Sequence, residues 1–199
     1  MSALFDELAA LYEKGHREEL NGLLTDAELA DGRATPAAVL IAVVEHDAPT
    51  VLLTQRPTTM RDHPGQVAFP GGKIDPGEDA VAAALREADE ELALPREAVR
   101  VIGTTDTYHT GTGFIVTPVL GVIEPGLPLV ANADEVEAWF EVPLATLLNP
   151  ECWTERSTIW KGRNRRYLDM HYDGFRIWGV TAAICYNLSR RIAAGKLRI

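Results

Sequence analysis

A cluster of acidic side chains near the middle of the chain is the part of this sequence best suited to chemistry. Glu87, Glu90 and Glu91 follow Glu78 in a stretch that opens on two glycines. On a helix with about 3.6 residues per turn, the last three carboxylates share one face. Carboxylate oxygens suit a hard divalent cation such as Mg²⁺ or Mn²⁺, and neither Cys nor His lies beside them to favour zinc.

The alternative interpretation is a solvated helix face, the usual explanation of an acidic helix. Solvated faces normally place lysine four residues from glutamate, whereas this segment offers only Arg86. The glutamates also lie in the last two helical turns, where the helix dipole disfavours negative charge. A segment that opposes both rules favours a functional site.

The residues between these carboxylates predict how the helix packs. Residues 79–92 form the predicted helix, and Val81, Leu85, Ala88 and Leu92 form a narrow stripe that faces the core. Three alanines lie near the carboxylates: Ala80, Ala83 and Ala84. Their small size predicts room for a ligand on that face.

The remaining patterns predict strands and helices around the acidic segment. Apolar or alternating runs predict strands over 37–46, 51–56, 99–108, 114–123 and 135–144, the first two as a hairpin, with a late hairpin from TERSTIW and RRYLDMHY. Helices are predicted over 2–14, 17–24, 144–148 and 177–195, the last ending at Gly195. Residues 56–72 read as a loop. The fold class is therefore α+β, a mixed sheet between helices.

Length and composition limit the class of protein. The 199 residues and 46% apolar content suit a single domain over residues 1–199, with a helical extension over about 1–35. No apolar run is long enough to span a bilayer, and the N-terminus lacks the pattern of a signal peptide. Cys152 and Cys185 form no disulfide or metal-binding pattern, so we expect a cytoplasmic protein.

The net charge of −10 argues against binding to nucleic acid or to an anionic membrane. An acidic protein that acts on an anionic substrate needs metal ions or a few well-placed Lys and Arg side chains. A basic segment at 161–166 is either a phosphate-binding group or a solvated hairpin tip.

The acidic segment resembles the Nudix box, in which a glycine, five residues, Glu and seven residues precede Arg-Glu-apolar-any-Glu-Glu-any-Gly-apolar. The matching residues are Gly72, Glu78, Arg86, Glu87, Ala88, Glu90, Glu91 and Leu94. Ala93 stands where the family has glycine. Because positive φ is often needed at the end of a helix, we expect this departure to change the helix end and not the chemistry.

The resemblance implies a Nudix fold of α/β/α layers and hydrolysis of a diphosphate linked to another group. It implies that Glu87 and Glu91 are the principal ligands of Mg²⁺ or Mn²⁺, and that the Gly72 carbonyl is a main-chain ligand. Glu90 would be a third ligand or would activate water. Together with Arg86, these three glutamates would form the catalytic residues.

In the same comparison, Arg86 would orient the glutamates together with Glu78. Family members also use a loop glutamate outside the box. Glu135, in the stretch ADEVE, is the candidate for that loop base. The alternative is an exposed charge at the entry of a strand.

The loop before the box resembles the signature of coenzyme A diphosphatases. The matching residues are Leu52, Leu53, Thr54, Arg56, Arg61, Gly65, Phe69, Pro70, Gly71 and Gly72. Pro57 departs from the Ser or Ala of that signature, and it is the feature that favours another nucleotide substrate.

This second resemblance implies cleavage of coenzyme A or acyl-coenzyme A to 3′,5′-adenosine bisphosphate and (acyl-)4′-phosphopantetheine. Arg56 and Arg61 would donate charge-assisted hydrogen bonds to phosphate, with Gly65, Phe69 and Lys73 as further substrate-binding residues. The alternatives are surface ion pairs for the arginines, turns for the glycines and a core position for Phe69. The family also leads us to expect a possible homodimer.

Two other functions remain open at this point. One is a Nudix hydrolase for another nucleotide such as ADP-ribose or NADH. The other is a sensor that binds nucleotide metabolites without catalysis, which is disfavoured because Glu87, Glu90 and Glu91 are all present.

Overall fold

A computed structural model describes residues 3–30, 32, 34–60 and 63–196. The helices are α1 (Ala3–His16), α2 (Ala80–Leu92), α3 (Leu144–Leu148) and α4 (Val180–Lys196). The strands are β1 (Thr35–Val44), β2 (Thr50–Gln55), β3 (Val67–Ala68), β4 (Gly71–Lys73), β5 (Arg100–Thr104), β6 (Tyr108–His109), β7 (Phe114–Ile123), β8 (Ala138–Pro143), β9 (Thr154–Trp160), β10 (Arg163–Tyr172) and β11 (Phe175–Trp178).

The larger sheet is mixed, as the sequence predicts. Its main path runs β3-β2-β1-β7-β5, while β4 pairs with β1, β6 with β7 and β8 with β2. Strands β1 and β7 run parallel over their full length, from Thr35 beside Phe114 to Val44 beside Ile123. Most of β1 is buried on both faces, which explains its nearly continuous apolar sequence. The predicted hairpin of β1 and β2 is confirmed by the antiparallel pairing of Val43 with Val51.

Helices cover both faces of this sheet. Helix α2 packs on one face, where Ala88 and Leu92 join Leu40 in one buried cluster. On the other face, Leu8 of α1, Leu147 of α3 and Leu188 of α4 belong to a second buried cluster. The resulting α/β/α layers confirm the predicted α+β fold class.

Three antiparallel strands, β9, β10 and β11, form a separate small sheet. The late hairpin is confirmed, since β9 pairs with β10 through Trp160 and Arg163 at its tip. The prediction that helix α4 begins at residue 177 is wrong, because Trp178 pairs with Asp169 as part of β11. The helix begins only after Gly179, whose φ of 64° turns the chain out of the strand.

The N-terminal segment is less helical than its sequence predicts. Helix α1 ends at His16, and residues 17–24 form no helix, so the prediction of a second helix there is wrong. The Arg191 side chain donates to the carbonyls of Gly15 and Glu18 at 3.0 and 2.6 Å. These bonds to α4 satisfy carbonyls that a continued helix would need for itself.

Gly195 does not end helix α4, which continues to Lys196. A Cβ atom on Gly195 would lie 2.5 Å from the Leu11 carbonyl oxygen, and one on Gly15 would lie 2.1 Å from the Arg191 carbonyl oxygen. The two glycines therefore allow α1 and α4 to pack backbone against backbone. None of the described helices is long and apolar enough to cross a membrane.

Local signals define both ends of α2. The Asp79 carboxylate accepts a hydrogen bond from the Ala82 N–H at 2.8 Å, which caps the N-terminus. At the C-terminus Ala93 has φ 51° and ψ 34°, so alanine adopts the left-handed conformation for which the family uses glycine.

The packing of α2 differs from the predicted stripe. Ala83 and Ala84 are fully buried against the sheet, whereas Val81 and Leu85 are only half-buried. The prediction of ligand room beside these alanines is wrong, because their small side chains serve instead to bring the helix close to the sheet.

Candidate active site

Three carboxylates meet at the C-terminal half of α2. Glu87 and Glu91, one helical turn apart, and Glu135, from the loop between β7 and β8, each place an oxygen within 4.8 Å of the others. A group of carboxylate oxygens at this spacing can coordinate a hard divalent cation. Glu90 lies outside this group.

The loop that carries Glu135 is fixed to the end of α2 by its backbone. Val130 N–H donates to the Leu92 carbonyl at 2.8 Å, and Asn132 N–H donates to the Glu91 carbonyl at the same distance. Glu135 N–H in turn donates to the Asn132 carbonyl at 3.0 Å. The loop therefore satisfies carbonyls that the helix end leaves open, and it places the third carboxylate beside the first two.

Gly72 makes room for the Glu87 carboxylate. A Cβ atom at residue 72 would lie 2.4 Å from the Glu87 carboxyl carbon, a distance that side chains do not tolerate. Gly72 pairs with Ala38 in β1, so the sheet fixes its backbone. The Glu87 carboxylate consequently lies directly against the main chain of β4.

Arg86 binds most of the surrounding acidic groups. Its Nε donates to Glu78 at 3.0 Å, and its Nη1 donates to Glu87 at 2.9 Å and to Glu90 at 3.0 Å. Its Nη2 donates to the Lys73 carbonyl at 2.9 Å. The predicted contact with Glu78 is confirmed, and the Arg86 hydrogen bond lowers the pKa of the Glu78 carboxyl.

Glu91 is the most buried of the three carboxylates, with 5% of its surface exposed. Burial, followed by the nearby charges of Glu87 and Glu135, raises its pKa to about 8. Burial also raises the pKa of Glu87, although Arg86 opposes that shift. Oε2 of Glu91 has no hydrogen-bond partner in the described part of the chain. A buried acceptor is costly without a partner, so this donor set fits Mg²⁺ or Mn²⁺.

The positive charge of Arg56 acts on Glu91 and lowers the Glu91 pKa in part. Its Nε is buried and, within the described residues, without an acceptor. Its backbone N–H donates to the Gln66 carbonyl at 3.0 Å, which closes the base of the loop. Pro57 is buried and accepts a hydrogen bond from the Met60 N–H at 3.2 Å, so this proline begins a tight turn without breaking the loop base.

The other predicted substrate-binding residues occupy different environments. Phe69 is 3% exposed and belongs to the core cluster that α4 covers, which favours the core position over a contact with substrate. Gly65 has φ 68°, and its carbonyl accepts from the Gln55 amide at 3.3 Å. The Lys73 side chain is exposed. Arg61 lies outside the described residues.

Glu137 also contributes to the site, and the sequence analysis missed it. Its carboxylate accepts from the Thr58 N–H at 2.9 Å, and its own N–H donates to the Gln55 carbonyl at 2.8 Å. Glu137 thus joins the loop of Arg56 to the loop of Glu135. No sequence pattern could have identified Glu137, because its partner Thr58 lies 79 residues away in the chain.

The basic hairpin segment is largely engaged within the protein. Arg165 donates to Asp26 at 2.9 Å, Arg166 to Glu155 at 3.2 Å and Arg163 to the Glu28 carbonyl at 2.6 Å. These contacts favour a structural role for the three arginines over phosphate binding.

Comparisons with known proteins agree with this geometry. Residues 34–160 match the NUDIX domain. The chain is 46% identical over 157 residues to the uncharacterized Nudix hydrolase NudL of Escherichia coli K12, covering 78% of this chain and 82% of that protein. The NudL proteins of Cronobacter sakazakii and Salmonella newport match to the same extent.

Among solved structures, the Nudix hydrolase RenU of M. smegmatis superimposes with a TM-score of 0.53 at 23% identity, covering 84% of this chain and 88% of that one. This likeness concerns the fold. Together with the NUDIX match and the NudL relatives, it leads to one conclusion: the chain belongs to the Nudix hydrolase family, whose members hydrolyse pyrophosphate bonds.

Proposed function

We propose that this enzyme hydrolyses the diphosphate of coenzyme A or its thioesters, with Mg²⁺ or Mn²⁺ as cofactor. The observation that carries the proposal is that two buried atoms of opposite charge, Arg56 Nε and Glu91 Oε2, each lack a hydrogen-bond partner among the described residues. Arg56 belongs to the segment that resembles the coenzyme A diphosphatase signature. A diphosphate bound to cations at Glu91 would supply the acceptor that Arg56 lacks.

Residues on three elements would hold the cation or cations. Glu87 and Glu91 come from α2, Glu135 from the loop after β7, and the Gly72 carbonyl from β4. A bound divalent ion neutralises charge on the phosphate oxygens and makes a coordinated water more acidic. Arg86 keeps the Glu87 carboxylate in place through the 2.9 Å hydrogen bond.

Glu90 has a distinct place in this scheme. Its carboxylate is held by Arg86 at the edge of the cluster, where water has access. We infer that Glu90 serves as a further ligand or accepts a proton from the attacking water. In the reaction a water oxygen bonds to one phosphorus and the bridging P–O bond breaks. Two phosphate monoesters, 3′,5′-adenosine bisphosphate and 4′-phosphopantetheine, are released.

Product analysis tests this proposal. The purified protein is incubated with coenzyme A, acetyl-coenzyme A, ADP-ribose, NADH and dATP in Mg²⁺ or Mn²⁺, and the products are separated. We expect kcat/KM for coenzyme A or acetyl-coenzyme A to exceed that for the other substrates by at least about tenfold. A preference for ADP-ribose or NADH overturns the substrate assignment, and binding without turnover of any compound favours the sensor.

Arg56→Ala sharpens the test, with Arg96→Ala as the matched control. Arg96 follows the C-terminal end of α2, half exposed, and its Nε lies 3.7 Å from the Asp89 carboxylate. We expect Arg56→Ala to lower kcat/KM for coenzyme A by about 10- to 100-fold, since a charge-assisted bond to phosphate is lost. Equal activity in the two variants would contradict the role of Arg56.

We also propose a cytoplasmic enzyme in which Cys152 and Cys185 remain reduced; both are free thiols in the structure. The homodimer and the assignment of residues 1–199 to one domain stay predictions, which sedimentation velocity and limited proteolysis can test.

A further inference from the structure

A cleft of about 230 Å³ lies outside the carboxylate cluster. It lies between the turn that joins β6 to β7, the small sheet and the first residues of α4. Two indoles and three hydroxyls line it: Trp160, Trp178, Thr110, Thr112 and Thr158. None of these residues belongs to the carboxylate cluster.

The charges that line this cleft largely cancel. Asp26 is 6% exposed and pairs with Arg165, whose Nε donates at 2.9 Å. The remaining lining is mostly aromatic or hydroxylic, with Gln66, Val180 and the exposed His63 besides. Lys161, which does not line the cleft, places its Nζ 4.5 Å from the centroid of the Trp160 ring and so covers part of that indole. Such a lining suits a neutral planar ring better than a phosphate group, because indoles supply stacking surface and hydroxyls supply a few directed hydrogen bonds.

The side chain of Gln66, which lines this cleft, carries an amide N–H₂ donor and a carbonyl acceptor. In the described part of the chain Gln66 forms hydrogen bonds with His63 and Arg56 through its backbone N–H and carbonyl, and neither bond uses its side-chain amide. By contrast, Thr110 is occupied, since its hydroxyl lies 3.0 Å from that of Thr112 and accepts from the Phe114 N–H. A side-chain amide can donate and accept at once, which matches the edge of a nucleobase.

The sheet register places the cleft within reach of the carboxylates. Ala38 pairs with Gly72, and Thr35 N–H donates to the Gly113 carbonyl at 2.8 Å. Three strand residues separate these contacts on β1, or roughly 10 Å. The loop gives a second connection, since the backbone carbonyl of Gln66 accepts from the N–H of Arg56, whose side-chain charge acts on Glu91.

The size of the cleft indicates how much of a substrate it takes. Its volume of about 230 Å³ is below the roughly 300–1,000 Å³ of pockets that enclose a whole ligand. It therefore fits one ring system and not a complete dinucleotide-sized molecule.

We propose that this cleft binds the base of the nucleotide half of the substrate, with the ring against the indole of Trp160 and its edge on Gln66. The inference rests on the proposed function in one respect: the diphosphate must be bound at the carboxylates for the attached base to reach the cleft. For coenzyme A the base is adenine, and the pantetheine half lies outside the cleft.

Binding of the two product halves tests the proposal without turnover. Titration calorimetry and tryptophan fluorescence measure the affinities of 3′,5′-adenosine bisphosphate and AMP, and inhibition of hydrolysis measures that of 4′-phosphopantetheine. We expect Trp160→Ala to weaken both adenine nucleotides about tenfold, since a stacking contact is lost, and to leave 4′-phosphopantetheine unchanged. Trp160→Phe should retain most of the affinity.

Two further variants guard against an effect of misfolding. A Cβ atom on Gly111 would lie 2.7 Å from the Trp160 ring, so Gly111→Ala should displace the indole and weaken the same two ligands. Trp139→Ala removes an indole on β8 that is 39% exposed and does not line the cleft. This variant should bind both adenine nucleotides with wild-type affinity.

The outcomes separate this inference from the proposed function. Equal affinity of AMP for wild type and Trp160→Ala overturns the cleft assignment, and so does a selective loss of 4′-phosphopantetheine binding. If the enzyme prefers ADP-ribose to coenzyme A, the substrate proposal fails, but loss of AMP affinity in Trp160→Ala still supports the cleft.

Discussion

The backbone N–H of Asn132 donates to the backbone carbonyl of Glu91 at 2.8 Å. Glu91 thus uses its side chain in the carboxylate cluster and its main chain to anchor the loop that carries Glu135. Because the anchor is a backbone bond, a substitution of the Glu91 side chain leaves the loop in place. The chemical role of the carboxylate can therefore be tested separately from the fold.

Glu91→Gln should reduce turnover at least about a hundredfold, because it removes a charged ligand of the proposed metal site while keeping the size of the side chain. Steady-state kinetics at saturating Mg²⁺ or Mn²⁺ measures the effect, and circular dichroism checks the fold. Glu97→Gln, in the short turn after α2, is the matched control and should retain wild-type activity. Near-normal turnover of Glu91→Gln would contradict the metal assignment.

The stability of the metal-free protein should depend on Glu91 and on pH. The folded state raises the pKa of Glu91 from 4.5 to about 8. The folded state therefore binds this proton more tightly than the unfolded state, and the resulting stability is fully present below pH 4.5 and is lost as pH rises through 8.

Thermal melts in a chelator at pH 5 and pH 9 measure this effect. The wild-type Tm should fall relative to that of Glu91→Gln at the higher pH by at least about 3 °C. Added Mg²⁺ should restore the wild-type protein more than the variant. A Tm difference that does not change with pH would show that Glu91 has an ordinary pKa.

Arg86→Ala should lower kcat by about 10- to 100-fold with a smaller change in KM, because Glu87 and Glu90 lose the guanidinium that orients them. Arg86→Lys should recover only part of the activity, since one ammonium group cannot reproduce the fork of donors. Unchanged kcat in Arg86→Ala would show that Arg86 does not contribute to catalysis. Urea denaturation of the same variant would then measure its contribution to the free energy of unfolding.

Ala93→Gly should stabilise the protein by about 1 kcal/mol, because glycine adopts the φ of 51° at this helix end without the strain of a Cβ atom. Urea denaturation measures the change, and activity should be unaffected. Ala98→Gly, at the end of the following short turn, is the comparison and should not stabilise. A loss of stability in Ala93→Gly would contradict the claim that the backbone of Ala93 is strained.

Asp106→Asn should destabilise the protein by about 2–3 kcal/mol, since Arg191 would lose its charged partner in a half-buried site between α1 and α4. Arg191 lowers the pKa of Asp106 below the ordinary 3.8, although burial acts in the opposite direction. The stability from this pair is therefore present above pH 3.8 and is lost as the pH falls through the lower folded-state pKa. Denaturation at pH 7 and pH 3 should show a larger wild-type advantage at pH 7 than at pH 3.

Sequence patterns were sufficient to predict the structure where it depends on residues that are close together in the chain. The helix predicted over 79–92 spans Ala80–Leu92, and the spacing of Glu87 and Glu91 places both carboxylates on one face. Residue periodicity also located the buried strands of the large sheet. These features follow from the 3.6-residue and two-residue repeats of helices and strands.

The same patterns were insufficient where distant segments meet. Residues 17–24 have a helical pattern, yet contacts with Arg191 hold the chain leaving α1 in another conformation. Phe69 fits a substrate signature, yet its ring packs in the core. Ala83 and Ala84 look like an open face, yet they are the residues that touch the sheet.

The sequence by itself determined that Glu87 and Glu91 share one face of a helix and where most of the buried strands lie, because both features depend on residues only a few positions apart. The tertiary structure decided between the two alternatives for Glu135 by placing its carboxylate with those of Glu87 and Glu91. It alone decided that the charge of Arg56 acts on Glu91 and that Trp160 faces the turn at Gly111. Those relationships arise when loops dock on helix ends and sheets, and the free energy of that docking comes from hydrogen bonds and burial between segments that no local repeat connects.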